Sequence, residues 1–296
     1  MICACIDIGS NTTTLLVAEP DGGRLRELAR QRAFTRIGKG RHTDDSISRR
    51  KIAEVAGVVA TQVRVARELG SETIRAVATA AIRDAVNQDE LVAAIVAGAG
   101  LDVDVLTDEE EARLAFVGAT SALDQPPDGD IAVVDVGGAS SEIAIGTIAG
   151  GVRASSSFRV GSGMLADAYL RSDPPSISEL SALRAHVAGT FEGFLLPETE
   201  LAVAVGGSAT SMRRLVGNLL DHESLERGLR ILAMTPVAKL ARTAEIEVER
   251  VRLLPAGLVI LEAISDRLRR PLGVGRGGLR EGVVVDMLIS SGWAPQ

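Results

Sequence analysis

Asp7-Ile8-Gly9-Ser10-Asn11-Thr12-Thr13-Thr14-Leu15 returns, in altered form, as Asp135-Val136-Gly137-Gly138-Ala139-Ser140-Ser141-Glu142-Ile143. Each stretch follows a short apolar run, Ile2 to Ile8 and Ile131 to Val136. Each leads into a β-type stretch, Thr12 to Ala18 and Ser140 to Ile148. A Gly-Gly turn then comes at the same offset from each aspartate, Gly22-Gly23 and Gly150-Gly151, with a further strand near Leu25 to Arg32 and Val152 to Phe158. The repeat predicts two halves that open alike: a strand, a small polar turn carrying an acid, and two antiparallel strands.

Helical signals follow in both halves. Ser48 can cap a helix whose apolar face is Ile52, Val55, Val59, Val63 and Ala66, closed by Gly70. Thr73 to Thr79 reads as a buried strand, Asn87 with Glu90 as a capping-box-like pair, and Val103 to Leu106 as a short strand. Thr107 opens an acidic-fronted helix to about Ala119, and Asp124-Gln125-Pro126-Pro127-Asp128-Gly129 reads as a boundary. The second half predicts a helix from about Ser178 to Leu195, a strand from Ala202 to Val205 and a helix after Gly206-Gly207-Ser208. The last helices expected are Leu254 to Leu268 and Leu279 to Leu288. Two α/β lobes opened by acid-and-glycine turns imply a ligand site at the strand ends. The lobes are expected at 1–122, with a C-terminal helix of about 279–292 packing back on the first, and at 128–278.

Bulk properties bound the function. With 296 residues, 46% hydrophobic and 24% charged, the chain has globular composition and room for two ordinary domains. Aromatics at 2% leave few stacking platforms for single strands, and a net charge of −7 lacks the footprint of a nucleic-acid binder. A polyanionic substrate needs only local basic charge. Cys3 and Cys5 share one strand face, a poor disulfide geometry, and read as buried thiols of a reducing compartment. No basic segment precedes an apolar leader and no apolar run reaches ~18 residues, so no membrane partner is expected and the cytoplasm is the expected location.

The turns suggest the chemistry. Gly9, Gly137 and Gly138 would let backbone N–H groups approach an anion, and Ser10, Asn11, Ser140 and Ser141 add donors. Asp7, Asp135 and Glu142 are hard oxygen ligands suited to Mg²⁺. Gly206-Gly207-Ser208 opens a helix after a strand, a phosphate-binding geometry, with Arg213 and Arg214 one turn on. Asp108 to Glu111 front a helix. They serve the helix dipole, or one of them is a general base. Arg83 suits bidentate phosphate contact. Further basic groups are Arg36, Lys39 and Arg41, with Arg276 and Arg280 near the last helix; His42, His186 and His222 show no metal-ligand spacing.

These motifs together resemble the exopolyphosphatase and guanosine-pentaphosphate phosphohydrolase (Ppx/GppA) family over nearly the whole chain. The resemblance rests on Asp7 to Asn11, Ala78 to Asn87, Glu110-Glu111-Ala112-Arg113-Leu114, Val134 to Glu142, Gly206 to Thr210 and Gly277-Gly278-Leu279-Arg280-Glu281-Gly282. It implies two ribonuclease-H-like (actin-like ATPase) α/β lobes around a central cleft, and a short two-domain form. It also implies Glu111 as general base and Asp135 with Glu142 as magnesium ligands. Arg83, Asn11, Gly138, Ser140, Gly207 and Ser208 fall on phosphate-binding positions. The implied reaction is Mg²⁺-dependent removal of the terminal phosphate of polyphosphate. Guanosine pentaphosphate, or a catalytically weak polyphosphate or nucleotide sensor, stands as the alternative. A homodimer is compatible with the resemblance. The sequence departs from the family pattern at Thr107-Asp108, at Val160 to Leu165 where an arginine is missing, and at Arg252 and Arg276, each in place of an acid.

Overall fold

The computed structural model describes residues 1–40 and 44–294; Arg41 and His42 lie outside the described residues. The chain begins with β1 (Cys3–Ile8), β2 (Thr13–Asp21), β3 (Arg24–Ala33), α1 (Arg49–Glu68), β4 (Thr73–Ala78), α2 (Ala80–Arg83), α3 (Gln88–Ala99), β5 (Val103–Val105) and α4 (Asp108–Thr120). It continues with β6 (Ile131–Val136), β7 (Ser141–Thr147), β8 (Gly151–Phe158), α5 (Ser162–Tyr169), α6 (Ile177–Thr190), β9 (Leu201–Val205) and α7 (Gly206–Val216). Then come β10 (Leu219–Leu220), α8 (His222–Met234), α9 (Val237–Ala244), α10 (Val248–Leu268), β11 (Leu272–Val274) and α11 (Leu279–Ser290). Two compact units result: Met1–Ala122 with Gly277–Gln296, and Leu123–Arg276.

The sequence repeat is a fold repeat. In the first unit the sheet order is β3-β2-β1-β4-β5, and in the second it is β10-β11-β9-β6-β7-β8. In both, the opening strand pairs antiparallel with the second and parallel with the fourth. This is the ribonuclease-H-like lobe of actin-like ATPases, present twice. The register break falls at the same offset from each aspartate, between Val17 and Ala18 in β2 and between Ile145 and Gly146 in β7. Only β10 has no counterpart.

Strand alternation builds the cores. Cys3 and Cys5 of β1 face a cluster with Leu16, Val77 and Leu114, completed by Leu279, Val283 and Leu288 of α11. Asp7 shares their parity and so faces the same side. Burial pushes the Cys5 thiol well above its ordinary range, so it is inert filling. In the second unit, alternate residues of β6 and β7 (Ala132, Val134, Val136; Ile143, Ile145) meet the long buried helix α10 in one core. No helix among the described residues is long and apolar enough to cross a membrane.

Several elements differ from the sequence expectation. Asn87 does not cap α3: its Oδ1 accepts from Ile47 N at 2.8 Å and its Nδ2 donates to Ile47 O at 3.0 Å, so the side chain ties down the distant segment before α1. α6 stops at Thr190 rather than Leu195, ahead of Gly193 in the left-handed region (φ 72°). α10 begins at Val248, earlier than Leu254, and runs through Pro255. The capping box at Thr107 is present as expected, with Glu110 N donating to Oγ1 at 3.2 Å and Glu110 Oε2 accepting from Thr107 N at 2.9 Å.

Candidate active site

In the first unit, the turn after β1 is closed by Gly9 N donating to Thr12 O at 2.9 Å. It is backed by Arg36 N and Gly38 N, which donate to the carbonyls of Asn11 (3.0 Å) and Ser10 (3.1 Å). Those contacts fix Ser10 and Asn11 as a backbone platform. Asp7 sits at the end of β1 and accepts from Arg280 Nη1 at 3.2 Å. Burial raises its pKa, and Arg280 opposes that rise. The neighbouring Glu281 lies below its ordinary value: burial alone would raise it, and Arg280 and Arg30 overcome that. Asp7, read from sequence as a metal ligand, is therefore half of an ion pair.

The acids fronting α4 divide by role. Glu110 closes the cap, whereas Glu111 is 8% exposed and turned inward. Arg83, ending α2, donates through Nη1 to Glu111 Oε2 at 3.1 Å and to Leu106 O at 2.6 Å, and through Nη2 to Asp108. Its guanidinium binds the first turn of α4 and orients Glu111. The sequence reading gave Arg83 to phosphate; the structure gives two of its nitrogens to protein acceptors.

In the second unit, Asp135 of β6 and Glu142 of β7 are register partners, so their carboxylates share one sheet face. Directly opposed residues have Cβ atoms about 4.5–5.5 Å apart, and like charges there repel. Glu142 is 2% exposed and accepts from Ser157 Oγ at 3.0 Å, Ser157 being its register partner on β8. Gly206 lies beside this pair. It has φ 82°, and a Cβ there would fall 2.3 Å from Asp135 Oδ1, so only glycine allows the carboxylate this close to the start of α7.

The turn after β6 repeats the first one: Gly137 N donates to Ser140 O at 3.0 Å. Its carbonyls then serve α5. Gly137 O accepts from Ser162 N and Oγ, and Gly138 O from Gly163 N and Met164 N. Gly137, expected from the sequence at a phosphate-binding position, has its amide engaged within the turn. Ser141 Oγ likewise donates to Val160 O at 2.6 Å. At the start of α7, Ser208 Oγ is buried against Gly257 of α10, without a hydrogen-bond partner among the described residues.

Arg250 was missed in the sequence reading. Its guanidinium covers Gly207, where a Cβ would lie 2.3 Å from Nη1. Arg250 sits at the start of α10, far from any motif, so no spacing signals it. Ser157 could have been found by counting back across the Gly150-Gly151 hairpin. Arg252 pairs with Asp167, and Arg276 with Asp124 at 3.5 Å. Arg214 caps the end of α9 through Glu245 O at 2.5 Å. His222 lies 3.8 Å from Glu226 on the surface, and His186 packs against Tyr169.

Known proteins share this architecture. A family model described as the Ppx/GppA phosphatase family matches residues 16–291. Exopolyphosphatase 2 of Mycobacterium tuberculosis (strain H37Rv) is 29% identical over 309 residues, covering 96% of each chain. The crystal structure of an Aquifex aeolicus member of the Ppx/GppA family has 26% identity and a TM-score of 0.83, with 98% of each chain covered. An exopolyphosphatase from Cytophaga hutchinsonii has a TM-score of 0.86 at 20% identity over 98% of each chain, a likeness of fold. By the matched length, the repeated lobe and the two acid-bearing turns, this chain belongs to the Ppx/GppA phosphatase family.

Proposed function

We propose that this phosphoanhydride hydrolase removes the terminal phosphate of inorganic polyphosphate in a Mg²⁺-dependent reaction. The observation behind the reading is the opposed Asp135–Glu142 pair, with Gly206 giving clearance beside it. Two like charges in direct register weaken a sheet. An all-carboxylate donor set is what Mg²⁺ takes while keeping several waters. The residues thus fit the ion, and Asp135 and Glu142 would hold it. When bound, it would supply neutralising charge for phosphate oxygens. Asp7, expected from the sequence as a further metal ligand, pairs through Oδ2 with Arg280.

Glu111 is assigned as the general base. It takes a proton from the attacking water, whose oxygen forms the new bond to the terminal phosphorus. The P–O anhydride bond breaks and the shortened chain leaves as an oxyanion. Arg83 is the positioning residue that holds Glu111 through the 3.1 Å contact. Arg250 and the amides at the start of α7 provide positive potential for an anion. The likeness to exopolyphosphatase 2 supports polyphosphate as substrate.

The test is phosphate release with Mg²⁺ from short polyphosphate, long polyphosphate, guanosine pentaphosphate and ATP in parallel. Glu111→Gln should lower release by about 10²–10⁴-fold while leaving substrate binding intact. Unchanged turnover would remove Glu111 as the base. Faster release from guanosine pentaphosphate would move the substrate assignment to that nucleotide.

A further inference from the structure

A cavity of about 680 Å³ opens in the second unit, between the ends of α6 and α10 and the segment from Phe194 to Thr199. None of its lining residues belongs to the acid-bearing turns. Its volume lies in the range of small-molecule sites, roughly 300–1,000 Å³. One wall is aromatic and aliphatic: Phe191, Phe194, Leu195 and Leu196. In a chain with only five phenylalanines, three gather here, since Phe158 packs on Phe191 at 4.6 Å and on Phe194 at 4.8 Å. Leu195 is 87% exposed, an apolar side chain left at the rim.

The lining is also basic. Arg267, Arg269 and Arg270 line the cavity, and no hydrogen bond or ion pair engages their guanidinium groups among the described residues. They outnumber the lining acids, Glu198 and Asp266. Cations suit a helix C-terminus, which explains their presence at the end of α10 but not the apolar residues that share the cavity with them. A third feature is polar and buried. Thr199 is 3% exposed and lines the cavity, and its Oγ1 has no hydrogen-bond partner among the described residues. Buried hydroxyls are nearly always satisfied, so this one is an exception within the cavity's lining.

We propose that this cavity binds a small amphipathic anion: a ring-sized apolar body against the phenylalanine wall, with a carboxylate, sulfonate or phosphate held by the arginines. Guanidinium forks match such oxyanions in pairs of hydrogen bonds. The probe is anilinonaphthalene sulfonate, titrated by fluorescence into the full chain, with neutral N-phenylnaphthylamine as comparison. Saturable binding of the sulfonate is expected, at least 10-fold tighter than the neutral compound. The Arg267→Ala/Arg269→Ala/Arg270→Ala variant and, separately, Leu195→Asp should each weaken it by 10-fold or more. Both alter exposed or half-exposed side chains, and an unchanged melting curve establishes that each still folds. No saturable binding, equal binding of the neutral compound, or affinity unchanged in both variants would overturn the proposal.

Discussion

Asp135 and Glu142 face each other because seven positions and one tight turn separate them, and because β6 and β7 pair in direct register. Like charges directly opposite each other are destabilising to a sheet. Glu142→Gln should therefore raise metal-free stability, by about 0.2–1 kcal/mol. The glutamine oxygen can still accept from Ser157 Oγ. If the pair holds Mg²⁺, saturating ion stabilises the wild-type chain by mass action, about 2.7 kcal/mol at a hundredfold excess over Kd. Thermal melts with and without Mg²⁺ should then show a large upward shift in the wild type and little in Glu142→Gln. An equal shift in both would sink the metal assignment. The acids were legible from the repeat; how donors are spent was not. Gly137 N–H and Ser141 Oγ look available in the sequence, yet the first closes its own turn on Ser140 O and the second satisfies Val160 O, a carbonyl made near only by folding.

At the scale of elements, α4 matters most because Glu111 rides on its first turn. Its position is set by backbone contact with α11. A Cβ on Gly282 would lie 1.8 Å from Leu114 O, and one on Gly118 would lie 2.0 Å from Gly278 O. The Gly-Gly-Leu-Arg-Glu-Gly segment, part of the family resemblance, thus has a packing purpose. Gly282→Ala should push α11 off α4 and cost at least about 1–3 kcal/mol, as overpacking does. Denaturant unfolding measures that loss, and phosphate release should fall with it as Glu111 shifts. A variant of native stability would show that the helices part freely. Local signals of this kind decided which helices were legible. α4 announces itself through Thr107 and Glu110, and α8 through an Asp221 cap with Leu225, Leu229 and Leu232 at helical spacing. α5 has no such signal, since its first amides are capped by Gly137 and Gly138, more than twenty positions earlier. Asn87 shows the converse: a good capping residue recruited by Ile47 instead.

At the scale of the molecule, one lobe occurs twice, and the two copies close their cores differently. The second unit draws its core from one continuous stretch, with members from Ala132 to Leu272. The first unit is split, because its cluster around Cys3, Cys5, Leu16 and Val77 takes Leu279, Val283, Val284 and Leu288 from the other end of the chain. A buried aliphatic side chain contributes roughly 1.5–3 kcal/mol, so losing four approaches the 5–15 kcal/mol that holds a domain together. A chain ending at Arg276 should therefore lose the fold of its first unit and keep that of its second. Hydrogen exchange read by mass spectrometry distinguishes the two. In the truncated chain, the amides of β1, β2 and β4 should exchange at nearly unprotected rates, while those of β6, β7 and β9 stay protected as in the whole chain. Protection retained in β1 and β4 would mean that α4 and α1 alone can seal the first core, and that α11 serves only to hold Arg280 against Asp7.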